Sequence, residues 1–218
     1  MGKSVYSIVL SDDVVQAVDE MAYRMNTSRS NLINQLLAER VSLTTPEMRM
    51  REIFSLVGQA LDSRFLPAPQ ASDSVMAVKT PLKFKYKPTL KYSVELYRSF
   101  SGKAGRLKVT LRTQSEELIK LTDRFFRDWS AAEQKYLGKF FSGGFPCEIA
   151  PKSYTRDFYE IAGNGLADRE IAEAISEYIR TFDKAITVYF ENAADPAHAK
   201  ALCEETYKGY LRKGVSIV

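Results

Sequence analysis

A single histidine, His198, leaves this sequence short of the side chain on which many metal sites and acid–base relays depend. Zinc and nickel sites draw on several His or Cys ligands at short spacing, and only Cys147 and Cys203 accompany His198. No metal and no cofactor are therefore expected. A serine or cysteine nucleophile with a histidine base would have to use His198, which falls in a helix-like stretch, 195–213, and reads as a solvated position. Two cysteines form at most one bridge, and reduced, buried thiols are the default in a chain without an export signal. No apolar run approaches the roughly 18 residues of a membrane helix. The opening MGKSVYSIVLSDD has one lysine and an apolar stretch too short for a signal core. The expectation is a cytoplasmic protein with no membrane partner.

Hydrophobic residues make up 45% of the 218 positions, enough for a real core in one large domain or two small ones. The net charge of +4 conceals an uneven distribution. Residues 1–45 carry a net charge of −1, whereas residues 79–112 hold ten Lys or Arg against Glu95 alone. A local excess of that size is an electrostatic signal for a polyanion.

Residues 5–10, VYSIVL, are β-branched or aromatic at most positions and read as a strand. Its two-residue period places Tyr6, Ile8 and Leu10 on one face and Val5, Ser7 and Val9 on the other. Ser11-Asp12-Asp13 supplies a cap and an acidic first turn for a helix, along which Val14, Val18, Met21, Ala22 and Met25 form one apolar stripe. Asn26-Thr27 breaks that helix, and Ser28 caps a second one carrying Leu32, Ile33, Leu36, Leu37 and Val41. A lone strand and two short helices leave a strand edge unpaired and apolar faces half covered. A second copy, with the two strands paired antiparallel about a two-fold axis, is the economical solution.

The stretch VLSDDVVQAVDEMAYRMNTSRSNLINQLL resembles the MetJ/Arc/CopG ribbon-helix-helix family in strand length, helix lengths, turn and the Ser-Arg-Ser start of its second helix. The likeness covers residues about 4–43. It implies a homodimer whose two-stranded ribbon enters the DNA major groove, with Val5, Ser7 and Val9 facing base edges. It also implies a phosphate held by Lys3 and at the start of the second helix, around Ser28, Arg29 and Ser30. Unpaired amides and the helix dipole favour an anion there on general grounds as well. Family members usually carry hydrogen-bonding residues on the ribbon face, whereas valine can touch only a thymine methyl group or exclude water.

Beyond this module the pattern predicts a helix over 47–62, through Met50, Ile53, Val57 and Leu61, and a linker over 66–74 rich in proline and small polar residues. Strict alternation in 82–87 and 106–112, with a further strand over 90–97, predicts a small antiparallel sheet. One face would carry Lys83, Lys85, Lys87, Lys91, Arg106, Lys108 and Arg112, as a phosphate-binding surface or a solvated face. Residues 106–141 loosely repeat the strand-helix-break order of the N-terminus and could form a degenerate second ribbon-helix-helix unit. Thr113 and Glu116 fit a capping box, 153–162 reads as a short helix ended by Gly163-Asn164-Gly165, a long helix starts at Asp168, and Asp195-Pro196 opens the last one. Asp157 and Glu160, three apart, read as solvated carboxylates, and no catalytic constellation emerges.

The expected fold is α+β and mostly helical. Residues 1–45 form the ribbon-helix-helix module, 46–78 a helix and linker, and 79–218 a domain with the basic sheet and several helices. The expected function is non-enzymatic: a homodimeric, sequence-specific regulator that binds double-stranded DNA. Two alternatives stay open, an architectural accessory protein in plasmid or phage partition or conjugation, and a dimeric scaffold for an acidic protein.

Overall fold

The computed structural model describes residues 5–69, 72–85, 87–98, 102–159 and 166–214. The chain is α+β, with six helices and one six-stranded antiparallel sheet among the described residues. It divides into two compact units, Met1–Met48 and Arg49–Val218.

The first unit contains helix α1 (Asp12–Arg24) and helix α2 (Arg29–Arg40). Asn26, at φ 51°, ends α1 by a Schellman closure: Thr27 N–H donates to Ala22 O at 2.9 Å and Asn26 N–H to Tyr23 O at 3.1 Å. Ser42, at φ 56°, ends α2 in the same way, with Leu43 N–H on Ala38 O at 2.8 Å. Ser28 is the N-cap of α2, its Oγ accepting from Asn31 N–H at 3.3 Å. Residues 5–10 have no strand partner among the described residues and are exposed throughout. In residues 5–43 the buried apolar side chains are Ala22, Leu32 and Ala38. Twelve of the fifteen large apolar side chains found exposed in the described chain lie in this short segment, including Tyr6, Ile8, Leu37 and Val41.

Helix α3 (Pro46–Ala60) leads into the second unit, where Met50, Ile53, Val57 and Leu61 are buried at the predicted helical spacing. The sheet follows: β1 (Leu66–Pro67), β2 (Val75–Pro81), β3 (Thr89–Leu96), β4 (Lys103–Arg112), β5 (Cys147–Ala150) and β6 (Ser153–Tyr159), in the spatial order β1-β2-β3-β4-β6-β5. Helices α4 (Glu116–Leu137), α5 (Asp168–Glu191) and α6 (Pro196–Leu211) complete the unit. Asp195 caps α6 with Pro196 at its first position, as predicted.

Register defines the two faces of the sheet. Val78, Tyr92, Val109 and Tyr154 form one row across β2, β3, β4 and β6, and all are buried. The core forms on that side around Phe182 of α5, whose ring lies 5.1 Å from Trp129, 5.3 Å from Phe125 and 5.7 Å from Tyr154. Inside it sits a fully buried ion pair. Glu133 of α4 accepts from Arg156 of β6 and from the Tyr154 hydroxyl, and its Oε1 accepts from Tyr178 OH at 2.8 Å. Trp129 Nε1–H donates to the Tyr178 hydroxyl oxygen at 2.8 Å, and the Arg156 guanidinium stacks on the Tyr178 ring at 4.4 Å. Burial pushes the Arg156 guanidinium toward its neutral form, but the Glu133 charge and the surrounding tyrosine hydroxyls together outweigh it and hold its pKa well above the usual range.

Several expectations are corrected. Residues 153–159 form strand β6 rather than a helix; Gly163-Asn164-Gly165 and Glu160 lie outside the described residues. The 66–74 linker instead contributes β1 and a bridge from Ser72 to Val75. The described residues of the alternating segment 82–87 lie in the connection between β2 and β3 and not in a strand: pairing ends at Pro81 and Thr89, Pro88 has no N–H to donate, and Leu82 N–H turns back to Pro88 O at 2.8 Å. Residues 106–141 are not a second ribbon-helix-helix unit. The strand there is paired on both sides, and α4 runs unbroken through Ser130 for 22 residues. Helix α4 is capped by Ser115, whose Oγ accepts from Leu118 N–H at 3.4 Å, rather than by Thr113 and Glu116.

Candidate nucleic-acid interface

Two surfaces carry the residues that the sequence singles out. On the first unit, Val5 and Val9 are 99% and 100% exposed and Ser7 is exposed between them, while Lys3 lies outside the described residues. At the start of α2 the Ser28 Oγ accepts the capping bond from Asn31 N–H, and the exposed Arg29 and Ser30 follow as the first helical positions. Arg29 forms a forked pair with Asp19 of α1, Nε donating to Oδ1 at 2.5 Å. The hydrogen bond to Arg29 holds the Asp19 carboxyl below its usual range. An anion reaching this helix start would therefore use the amides first and compete with Asp19 for the guanidinium.

On the second unit, the face of the sheet opposite the core carries the polar half of each alternating strand. Across β2, β3, β4 and β6, register aligns Lys79, Lys91, Thr110 and Ser153 in one row and Ala77, Ser93, Lys108 and Thr155 in the next. Arg112 stands beside Thr89 at the end of β4. Lys91, Arg106, Lys108 and Arg112 thus share this face, as the period-two reading expected. Lys83, Lys85 and Lys87 do not. They sit on the 82–88 loop, where Lys83 and Lys87 border a cleft of about 680 Å³ whose walls include Leu66, Phe84 and Asp183. Asp183 is buried there, its Oδ1 accepting from Thr80 at 2.7 Å and Tyr92 at 3.0 Å, and burial raises its pKa.

Charge on the open face is segregated. At one end Asp157, in register with Arg106, accepts from Arg106 Nε at 2.8 Å, Lys103 Nζ at 2.9 Å and Tyr97 OH at 3.2 Å. Burial opposes ionisation of Asp157, but the two cations outweigh it and hold its carboxyl below the usual range. Glu95 also lies opposite Arg106, so this end is locally neutralised. At the other end Lys79, Lys91, Lys108 and Arg112 have no ion-pair partner among the described residues. The remaining acid of the face, Glu148, lies out on β5 opposite Thr155.

Sequence reasoning missed Lys79 and Asp157 as parts of this surface. The run Ser-Tyr-Thr-Arg-Asp-Phe-Tyr does alternate, with Tyr154 and Phe158 facing inward. Arg156 at the intervening inward position disguises the pattern, because a buried arginine is legible only once Glu133 is seen beside it.

Among the described residues there is no group of three His, Cys, Asp or Glu that could hold a metal and no helix long and apolar enough to cross a membrane. His198 is exposed near the start of α6. No protein-family model matches the chain, and no curated protein or solved structure is significantly similar to it. The likeness of residues about 4–43 to the ribbon-helix-helix pattern therefore rests on those residues alone.

Proposed function

We propose that the chain is a homodimeric, sequence-specific DNA-binding protein of the ribbon-helix-helix kind, acting as a transcriptional regulator. The observation that carries this reading is the uncovered N-terminal unit. The exposed residues 5–10, without a strand partner among the described residues, precede two capped helices whose apolar side chains are largely left in solvent. Fewer than about 40 to 50 residues with so small a core are not stable alone, and oligomerisation is a usual remedy. In the dimer, residues 5–10 of two copies pair into a ribbon. Val5, Ser7 and Val9 then face the DNA bases, and the amides of Arg29 and Ser30, with Lys3, hold backbone phosphates. Two-fold symmetry of the protein demands repeated half-sites in the target.

Selection from random duplex DNA at two salt concentrations, followed by sequencing, tests the reading. Enrichment of a symmetric motif supports it, and absence of any duplex binding at low salt refutes it in favour of a scaffold for an acidic protein. If the ribbon reads bases, Ser7→Ala changes the selected motif more than the total affinity. One observation favours a second reading, an architectural accessory in plasmid or phage partition or conjugation: neither Val5 nor Val9 can hydrogen-bond a base edge. Strong, salt-dependent binding with a flat selection profile would favour that role.

A further inference from the structure

We infer that the open face of the β2–β3–β4–β6 sheet is a second, sequence-independent grip on the phosphate backbone of duplex DNA, centred on Lys91. Four features of the surface carry this.

The first is proximity. Lys79 lies directly opposite Lys91 in the β2–β3 register, while Lys108 and Arg112 flank Thr110, the partner of Lys91 on β4. Direct cross-strand neighbours are about 5 Å apart and diagonal ones about 7–8 Å, so three further cations surround Lys91 within reach of one stretch of backbone. The second is the absence of local compensation. A like-charged pair placed directly opposite on a sheet destabilises it, and the acids of this face are committed elsewhere, Glu95 and Asp157 around Arg106 and Glu148 out on β5. A face selected only for solubility would mix the signs.

The third feature is the polar filling between the cations. Ser93, Thr110, Ser153 and Thr155 occupy intervening register positions and are half-buried, offering hydroxyl donors to phosphate oxygens. The fourth selects the duplex. Surfaces for single strands pair a basic groove with aromatic side chains on which bases stack. The register positions around Lys91 carry none: Tyr92 and Tyr154 point into the core, and Tyr97 and Tyr159 lie at the neutralised end. Among the described residues the face can grip phosphates but offers no ring for an unstacked base.

The inference rests on the reading of the chain as a DNA-binding protein, and one experiment separates the two. Fluorescence anisotropy with a random-sequence duplex, from 50 to 200 mM salt, compares the full-length wild type with Lys91→Glu/Lys108→Glu. Each neutralised phosphate adds about 0.9 to the slope of log affinity against log salt. The double variant should therefore lose about two units of slope and at least about tenfold in affinity at 50 mM, with an unchanged or raised Tm because Lys79 no longer opposes Lys91. The same charge change on the hairpin loop, Lys83→Glu/Lys85→Glu, should cost clearly less. Wild-type affinity and slope retained by Lys91→Glu/Lys108→Glu overturn the sheet contact alone, while a wild type that binds no duplex at 50 mM overturns both readings. Tighter binding of the single strand than of the duplex, or of polyglutamate than of either, lost in the double variant, also overturns it by naming a different occupant.

Discussion

In the N-terminal unit twelve large apolar side chains stand in solvent over a core of Ala22, Leu32 and Ala38. Among the described residues of the C-terminal unit only Leu66, Phe140 and Ile149 do so, around a core that encloses Trp129, Phe182 and the Glu133–Arg156 pair. The contrast lies in chain length and layering. A six-stranded sheet with helices on one face closes its own core, whereas residues 5–43 have one layer of two helices and nothing of their own to lay against it. One unit closes its own core, and the other leaves apolar faces uncovered, which the proposed second copy would cover. The C-terminal unit nevertheless leaves one side of its sheet open, and that side is polar rather than apolar. The two uncovered surfaces differ in kind: apolar helix faces suit the proposed second copy, and cations with hydroxyls suit the proposed polyanion.

The contrast can be broken most forcefully at its buried charge. Glu133→Ala leaves the Arg156 guanidinium unpaired in the core and should cost about 3–5 kcal/mol, read as a shifted denaturant midpoint that does not depend on protein concentration. A midpoint that moves with concentration would show that the larger unit is not self-sufficient. Leu36→Asp/Leu37→Asp, at positions 40% and 59% exposed in the single chain, would be nearly neutral on a free surface. Covered by a second copy, these positions would bury two carboxylates, and the dimer should weaken by about 2 kcal/mol or more. Sedimentation equilibrium decides between the two, and an unchanged oligomeric state would refute the two-copy reading.

Smaller effects sharpen the comparison. The Asp157 carboxyl has a folded-state pKa below its unfolded value, so its contribution is present above about pH 4 and disappears as pH falls through the folded value. Asp157→Asn should lower Tm at neutral pH and approach wild type in acid, and a difference independent of pH would remove the ion pair as the cause. Burial pushes the Cys203 thiol up to about 12, so thiol reagents should label the half-buried Cys147 first and Cys203 only on unfolding. The least effect is expected at Ser42. Its left-handed backbone carries a Cβ penalty, so Ser42→Gly should stabilise the N-terminal unit by about 0.5 kcal/mol, measured as a small rise in Tm at fixed concentration.

Where the sequence was legible, the signals were local. Helical periodicity located α3 and α5, Ser28 and Asp195 marked two helix starts, and alternation located β3 and β4 with their basic face. Where it misled, the deciding partner lay far along the chain or the backbone lacked a donor. The described residues of the alternating 82–87 form no ladder, Leu82 N–H turning back to Pro88 O, whereas Leu66-Pro67 pairs as an edge strand. Lys83, Lys85 and Lys87 consequently left the candidate surface, and Lys79 joined it.

By itself the sequence determined the composition of each uncovered surface: the apolar stripes of residues 5–43 and the excess of cations over 79–112. Both are properties of side chains counted along the chain, and periodicity is enough to order them. Only the tertiary structure decided which cations are available. It carried Asp157, some fifty residues downstream, into register with Arg106 and left Lys79, Lys91, Lys108 and Arg112 without such a partner among the described residues. Strand pairing, not sequence distance, sets the separations over which charges neutralise one another.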